Sequence, residues 1–467
     1  MDNRDTITKA PHGLAILAIV GPAFVWSAEY IGSGEVILAT RMGAILGYTA
    51  LWAPVVGIIL KTCIGLGGAR YTVCTGEGMV DMFSRMPGKG NWAVWIVLFG
   101  QLLAGAISIG SIASAAGIFA HSIFPVNPFI WGWIITVFAI VVVWSGTFDI
   151  MKYIMSAFVF IIIAGVVYVT IHTFPGIREV VRGVIAFEIP PVPQWALELG
   201  GVSSNPWHEI LPLIGWAAGG FASQVWYTYW VLGAGYGMAK GRQYGQPCDV
   251  SVLKTMTSKT ALIVKGWCRV VNVDAMVAMV IGVVVTCCFM MSGSGILRPA
   301  HIAPDGTSIA FQLSNIFGTL WGKTGALFFR ISGCAALIST LIGQFAGWPR
   351  LIADSMRICF PPFNKVFKWS TQFRIFIAFF FTTNIIIIYS LGINPLIIIK
   401  ISAIFDGLLF TPFQAVLVFI GLIWVLPRLL SEEAWNIVKP HWVLLTSLIT
   451  AACVFGWFCL FQLGVVH

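Results

Sequence analysis

Long apolar segments separated by short polar loops follow one another along almost the whole chain. Runs of about 20 apolar residues are long enough to cross a bilayer as helices. They predict about eleven such helices, of which the first and the sixth are interrupted. The predicted spans are 14–45 (broken), 49–68, 92–120, 128–146, 151–172, 210–238 (broken), 267–291, 322–349, 373–390, 396–426 and 441–463. This pattern predicts an all-α polytopic membrane protein.

The first apolar segment is interrupted near its middle by Gly32, Ser33 and Gly34, and Glu35 follows directly. Lipid cannot satisfy free backbone N–H and C=O groups, so an unwound, charged stretch at this depth must be buried in protein or line a polar cavity. Discontinuous helices of this kind form the midplane binding sites of secondary transporters. The alternative interpretation is a helix hinged at glycine, with Glu35 reaching an interface.

The second interruption falls five helices later, where the chain reads GWAAGGFASQVWYTYWVLGAGYG. Two broken helices in corresponding positions predict two inverted five-helix repeats. A close-packing face is the alternative explanation for Gly219 and Gly220. The predicted divisions are a cytoplasmic tail (1–13), the first repeat (14–172), an extracellular loop (173–209), the second repeat (210–426), and a loop with helix 11 (427–467).

Composition and charge place the whole chain in the membrane. Hydrophobic residues make up 58% of it, charged residues 10%, and the mean hydropathy is +0.90. Lys and Arg are concentrated in the N-terminal tail and in alternate loops, which predicts a cytoplasmic N-terminus and places His467 outside. The net charge of +9 follows from this bias, so we expect no nucleic-acid surface. The absence of an Asn-x-Ser/Thr sequon fits a bacterial inner membrane.

Cysteine and histidine spacing indicates neither a metal cluster nor an enzyme. The ten cysteines show no CxxC or Cys/His pattern, and the seven histidines show no HxxxH or HxE pattern. We therefore expect no enzymatic activity and no bound cofactor. The sequence does not specify an oligomeric state, and a monomer is compatible with it.

Three motifs carry a resemblance to a known family: GP at Gly21–Pro22, YIGSGEVILATRMGAILGYTALW at Tyr30–Trp52, and ARYTVCTGEGMVDM at Ala69–Met82. They resemble the Nramp divalent-metal transporters of the amino acid–polyamine–organocation superfamily, whose first helix carries Y-I-D-P-G-N. The likeness is strongest over roughly residues 14–84. It implies a leucine-transporter-type fold of eleven helices, with two inverted repeats and alternating access.

The departures from that family fall on its metal chemistry. Gly32 stands where the family places the metal-binding Asp, and Glu35 stands where it places the coordinating Asn. The family's sixth-helix Met has no counterpart between Gly215 and Trp230. Because a thioether favours transition metals, a soft Mn²⁺ or Fe²⁺ site is not expected. The candidate metal ligands are hard oxygen donors, suited to Mg²⁺ or Ca²⁺, at Glu35, Gly32, Ala222, Ser223 and Gln224.

Aromatic residues around the two breaks suggest a different substrate. Together with the small residues of the first break they could form a pocket for an organic cation or amine, although packing and interfacial belts are the commoner roles of such side chains. The candidate pocket residues are Trp26, Tyr30, Ser33, Gly34, Trp226, Tyr227 and Tyr229.

Coupling to a second ion has its own candidates. Asp406, a carboxylate within the tenth helix, should pair with Lys400 or with a bound cation. Ser339 and Thr340 on the eighth helix occupy a region where related folds place a sodium ion, unless their hydroxyls bond back to a helical carbonyl. The resemblance aligns the family's acidic proton-route pair with Ala104 and Ile107. A proton relay through the third helix is therefore not expected.

These observations predict an Nramp-related secondary transporter that moves a small cation by alternating access. Divalent metal is the family default, and the ligand set favours a hard ion such as Mg²⁺ over Mn²⁺ or Fe²⁺. A carrier of a small amine or amino acid-like substrate, with or without sodium coupling, is the first alternative. A membrane sensor that transports nothing is the second.

Overall fold

The computed structural model describes residues 7–145, 148–305, 309–384 and 395–465. Regular structure in these ranges is helical, with no strand in them. Long apolar helices of this kind satisfy every backbone donor and acceptor internally, as a bilayer requires.

The N-terminal half contains the first broken helix, four long continuous helices and one short helix of six residues. A 3₁₀ turn (Gly13–Ala18) precedes the broken helix, and a π-helical segment (Gly34–Ala39) lies between its two halves. The helices are α1 (Pro22–Tyr30), α2 (Thr40–Leu46), α3 (Trp52–Thr75), α4 (Met79–Ser84), α5 (Trp92–Ile123), α6 (Pro128–Val143) and α7 (Phe148–His172). The short helices α8 (Ile177–Ile185) and α9 (Gln194–Glu198) follow in the loop predicted at 173–209.

The second half begins with the other broken helix, formed by α10 (Trp207–Trp216) and α11 (Phe221–Gly233). After it come α12 (Val250–Lys254), α13 (Ser258–Ser292), α14 (Ile309–Cys359), α15 (Pro361–Val366), α16 (Trp369–Thr383), α17 (Pro395–Ser402), α18 (Thr411–Ile420), α19 (Leu426–Leu429), α20 (Glu432–Val438) and α21 (Trp442–Gln462). α14 is kinked at Gly322, where φ is +60°. A π-helical segment (Ala403–Leu409) lies between α17 and α18.

Every predicted span coincides with one of these helices or with a broken pair. Residue 146 of the fourth span and residues 385–390 of the ninth lie outside the described ranges. Among the described residues, seven helical segments are long and apolar enough to cross a membrane: Tyr48–Thr75, Trp92–Ile123, Phe148–Tyr168, Ser258–Leu297, Gly322–Cys359, Pro395–Leu429 and Trp442–Gln462. The chain is therefore an integral membrane protein. The total of eleven spans stays a prediction.

The two broken helices lie at the centre of the bundle. α1 packs against α7, α11, α13 and α14, and its residues from Val25 to Tyr30 are buried. Such burial means that the polar groups exposed at the break face protein rather than lipid, as the sequence required.

Candidate functional site

The two predicted helix breaks are confirmed and lie side by side. α1 ends at Tyr30, and regular structure resumes at Gly34. α10 ends at Trp216, and α11 begins at Phe221. The indole N–H of Trp216 donates a hydrogen bond of 2.9 Å to the hydroxyl of Ser33, so the two breaks are joined directly.

The second break depends on an unusual backbone. Ala218 and Gly219 both have left-handed φ angles, of +57° and +73°. A left-handed residue other than glycine is uncommon, and here it turns the chain between two half-helices. The side chain of Gln224 holds this turn from the next helix, because its Nε2 donates to the carbonyl of Ala218 at 3.1 Å.

A small cavity of about 20 Å³ lies between the breaks, with room for about one water molecule. Its polar lining includes two carboxylates, and its apolar lining is aromatic. The lining residues are Glu29, Tyr30, Ser33, Trp216, Gly219, Gly220, Ser223, Trp226, Thr340, Gln344, Trp348 and Asp406. Within the described part of the chain, the Oε1 atom of Gln344 and the indole N–H of Trp226 have no hydrogen-bond partner. The cavity therefore has unused polar groups to offer a ligand.

Glu29 connects the two broken helices next to the cavity. Its Oε2 accepts a hydrogen bond of 2.6 Å from the hydroxyl of Ser223, which in turn accepts one of 2.9 Å from the indole of Trp26. Gly343 on α14 makes room for this carboxylate, since a Cβ there would lie 2.4 Å from Glu29 Cγ. The Glu29 side chain is thus held by Ser223 of α11 and packs against α14 at Gly343.

Asp406 approaches the cavity from the π-helical segment between α17 and α18. Its Oδ1 accepts a hydrogen bond of 2.8 Å from Gln101 Nε2, and Gln101 Oε1 accepts one of 2.9 Å from Trp348. A Cβ on Gly220 would lie 1.8 Å from Asp406 Oδ2, so the glycine is what lets this carboxylate reach the break. The predicted pairing with Lys400 is wrong, because Lys400 Nζ contacts Glu209 Oε1 instead, at 2.8 Å.

Glu35, the main metal candidate of the sequence, lies at the start of the segment after the first break. Its Oε2 accepts a hydrogen bond of 3.1 Å from the backbone N–H of Gly32, in the manner of a helix cap. Its Oε1 has no partner among the described residues. Glu35 is fully buried but is absent from the lining of the cavity. It can contribute charge to the site without contacting the cavity.

Gly32 has no space for a side chain. A Cβ at this position would lie 2.1 Å from the hydroxyl oxygen of Thr340. That hydroxyl donates to the carbonyl of Glu29 at 2.8 Å, and the hydroxyl of Ser339 donates to the carbonyl of Ala28 at 2.9 Å. The two coupling candidates on α14 therefore contact the unwinding end of α1. An aspartate at position 32 would require Thr340 to move.

The predicted aromatic residues separate into two groups. Tyr30 and Trp226 line the cavity. Tyr227 and Tyr229 are directed away from it, since their hydroxyls donate to Asp274 and Asp354 at 2.8 and 2.9 Å. Trp26 stacks on the ring of Tyr227, with centroids 4.2 Å apart. Of the small residues, Ser33 lines the cavity, whereas Gly34 packs against the indole of Trp216 and Ala222 is buried in the first turn of α11.

Two ionisable residues of the site were missed from the sequence. They are Glu29 and Lys61, a fully buried lysine on α3. Lys61 Nζ donates to the carbonyl of Gly215, in the last turn of α10, and to that of Gly219, within the second break, the latter at 2.8 Å. Both residues could have been found, because an ionisable side chain within an apolar span indicates function by default. They occur in VWSAEYIG and GIILKTCIG.

Two buried ion pairs join helices that are distant in sequence. Arg41 of α2 contacts Glu209 of α10 at 3.1 Å. Arg357 of α14 contacts Asp81 of α4 at 2.7 Å. Neither pair lines the cavity.

Within the described residues, no three His, Cys, Asp or Glu side chains converge closely enough to hold a metal ion by themselves. A cation in the cavity would have to use the carboxylates together with hydroxyl, amide and backbone oxygens or water. Such mixed oxygen coordination suits Mg²⁺ and Ca²⁺.

Comparison with known proteins supports one family. Residues 23–202 match the family model "Natural resistance-associated macrophage protein-like", abbreviated Nramp. The chain is similar to the divalent metal cation transporter MntH of Pectobacterium carotovorum, with 30% identity over 101 residues, which is 21% of this chain and 24% of that protein. The Yersinia enterocolitica MntH matches with the same identity and coverage. The aligned segment thus spans about a quarter of these relatives' length.

Solved structures resemble the whole chain. A mutant of the Eremococcus coleocola manganese transporter matches with a TM-score of 0.61 and 16% identity, covering 97% of this chain and 89% of that one. Mhp1, a nucleobase-cation-symport-1 family transporter in a closed conformation, matches with a TM-score of 0.55 and 12% identity, covering 97% and 94%. Together these likenesses establish the predicted leucine-transporter-type fold.

Proposed function

We propose that this chain, which is Nramp-related, is a divalent metal cation transporter that works by alternating access. The observation that carries the proposal is the small cavity between the two helix breaks, with Glu29 and Asp406 in its wall. Carboxylates shielded from water are costly unless a positive charge compensates them. A cation that enters from one side and leaves to the other would supply that charge.

The ionisable groups around the cavity, when all of them are charged, add up to the charge that a divalent ion would balance. Glu29 interacts electrostatically with Glu35 and Asp406, and the nearby positive group is Lys61. When all four are ionised, three carboxylates face one ammonium, and two negative charges remain. One divalent cation would neutralise them. We propose Glu29 and Asp406 as ligand candidates beside Glu35, Gly32, Ala222, Ser223 and Gln224.

The size of the cavity favours an ion over the organic alternative. Pockets for small organic ligands measure roughly 300–1,000 Å³. The cavity here is about 20 Å³. An amine or amino acid-like substrate would have to push Trp226 and Trp348 aside, whereas a bare or singly hydrated ion would not.

The donor set favours a hard ion such as Mg²⁺ over Mn²⁺ or Fe²⁺. The residues that line the cavity offer oxygen atoms, and Met, Cys and His are not among them. Because soft ligands are what select transition metals over the harder divalent cations, their replacement by oxygen should shift selectivity towards Mg²⁺.

Sodium is the coupling ion that we propose. Ser339 Oγ lies 2.9 Å from the carbonyl oxygen of Ala28 and 2.8 Å from that of Ala336 in its own helix, and Thr340 Oγ1 lies 2.8 Å from the carbonyl oxygen of Glu29. Oxygen atoms that a sodium ion could use therefore lie where α14 meets the end of α1. The third predicted span, which is α5, has Ala104 and Ile107 where the Nramp family places the acidic residues of its proton route.

We also propose, from the loop charges, that the protein lies in a bacterial inner membrane, with the N-terminus cytoplasmic and the C-terminus outside.

Uptake into proteoliposomes tests the function. Purified protein should take up Mg²⁺ saturably, and should not take up Mn²⁺ or Cd²⁺ at low micromolar concentration. Glu29→Gln should abolish the Mg²⁺ uptake, and empty liposomes provide the baseline. Saturable uptake of Mn²⁺ in that range, lost on substituting Glu35, would refute the hard-ion selectivity. Cation binding without any uptake would instead indicate a sensor.

A further inference from the structure

Lys61 is an unusual residue in the centre of this bundle. It lies within α3, its side chain has no exposure to solvent, and its ring neighbour is Phe455, whose centroid is 5.4 Å from Nζ. A buried ammonium must be paired or solvated by dipoles. Here the carbonyls of Gly215 and Gly219 provide those dipoles.

The two carbonyls belong to the break that forms one wall of the cavity. Gly215 lies in the last turn of α10, where unsatisfied carbonyls give a helix its partial negative end. Gly219 is itself a cavity-lining residue. Carbonyls at such a break are general cation ligands in transporters. The ammonium of Lys61 is therefore hydrogen-bonded to carbonyl oxygens that could otherwise bind a transported ion.

The ammonium also acts on the carboxylates. Lys61 interacts electrostatically with Asp406 first and Glu35 second. In a site shielded from water such interactions are several times stronger than at a surface. A fixed positive charge here must weaken the binding of any cation in the cavity. The repulsion energy is twice as large for a doubly charged ion as for a singly charged one at the same place.

We propose that Lys61 is a selectivity-determining residue. Its ammonium group occupies the carbonyls of the second helix break and reduces the net negative charge around the cavity to the amount that one divalent ion balances. This inference rests on the proposed function. Lys61 thus keeps the affinity for the transported cation low enough for release on the far side. Lys61 itself need not contact that cation.

Cation affinity of purified variants, measured by isothermal titration with Mg²⁺ and separately with Na⁺, tests the proposal. Lys61→Gln should bind Mg²⁺ at least tenfold more tightly than wild type, which is about 1.4 kcal/mol. The fold-increase in affinity for Na⁺ should be smaller, near the square root of the fold-increase for Mg²⁺, because the repulsion that is removed is half as large for a single charge. Lys61→Arg keeps the charge and should bind within about threefold of wild type, a difference of about 0.7 kcal/mol.

Arg70 provides a matched control on the same helix. Its guanidinium is also buried and also donates to two carbonyls, those of Val438 and Lys439, but it lies nine residues further along α3. Nine residues correspond to about 13.5 Å along a helix. Arg70→Gln should therefore leave both cation affinities unchanged, even if it lowers the melting temperature.

The outcomes separate the two proposals. Equal or weaker Mg²⁺ binding by a monodisperse Lys61→Gln protein would overturn the role of Lys61 and leave the transport function standing. If wild type binds no cation, the transport function fails first. If Lys61→Gln does not fold, the comparison is repeated in a protein that also carries Asp406→Asn. The double variant Asp406→Asn/Lys61→Gln must then bind Mg²⁺ more tightly than the single variant Asp406→Asn.

Discussion

The hydroxyl of Ser223 donates a hydrogen bond of 2.6 Å to the carboxylate of Glu29, and so links α11 to α1 at the places where both helices adjoin a break. Any motion that separates the broken helices must first break this contact. A cation held between them would bring Glu29 and Ser223 together as ligands. The contact therefore joins the chemistry of the site to the conformational change that transport requires.

Glu29→Gln should weaken Mg²⁺ binding at least tenfold, or about 1.4 kcal/mol. The glutamine keeps the size of the side chain and can still accept the hydrogen bond from Ser223, but it removes a negative charge from the cavity wall. Isothermal titration with Mg²⁺ measures the effect. Glu198→Gln, in the short helix α9 outside the bundle core, is the control and should bind as wild type does.

Glu35→Gln should fold and elute like wild type, yet lose cation affinity by more than tenfold. Its amide oxygen can still accept from the Gly32 N–H, so the cap survives and the charge does not. Glu35→Ala removes both. If Glu35→Gln binds Mg²⁺ normally while Glu35→Ala merely lowers the melting temperature, Glu35 is a helix cap without a role in cation binding.

Gly32→Ala should destabilise the protein by about 1–3 kcal/mol through overpacking. The new Cβ would lie 2.1 Å from the Thr340 hydroxyl, closer than real contacts allow. Thr340→Ala should recover part of the loss in the double variant, because it removes the clashing oxygen. Scanning fluorimetry in detergent gives the melting temperatures, and equal stability of wild type and Gly32→Ala would contradict the packing described for this break.

Glu209→Ala should cost about 3–5 kcal/mol, because it leaves the buried guanidinium of Arg41 without its carboxylate. Lys400→Ala should cost much less, since the Lys400 side chain is 20% exposed and can be replaced by water. Thermal unfolding of the two variants under the same conditions provides the comparison. A larger loss of stability in Lys400→Ala than in Glu209→Ala would contradict the view that the buried pair with Arg41 is the main interaction of Glu209.

Transport should not acidify the vesicle lumen in step with substrate entry, because Ala104 and Ile107 provide no acidic relay on the third helix. A pH-sensitive dye trapped inside the proteoliposomes measures this during Mg²⁺ uptake. Proton flux of comparable stoichiometry would show that Glu35 or Asp406 has taken over the relay, and the sodium-coupled scheme would then be abandoned.

Local pattern was sufficient to locate the elements of this protein. The hydrophobic runs predicted the helices, since a bilayer imposes a minimum length and excludes unpaired backbone. The glycines at Gly32–Gly34 and Gly219–Gly220 predicted both breaks. Glycine has no side chain to pack and the greatest backbone freedom, so it destabilises a helix at the point where it occurs. Two breaks five helices apart then indicated the repeat architecture.

Contacts between distant segments could not be predicted in the same way. Lys400 is six residues from Asp406 in sequence, yet it contacts Glu209, while Asp406 contacts Gln101 on α5. Glu29 was overlooked in favour of Glu35, although Glu29 is the carboxylate that lines the cavity. Sequence spacing describes which residues share a helix face, but the partner of a buried charge is chosen by how several helices pack together, and that packing is a property of the folded chain.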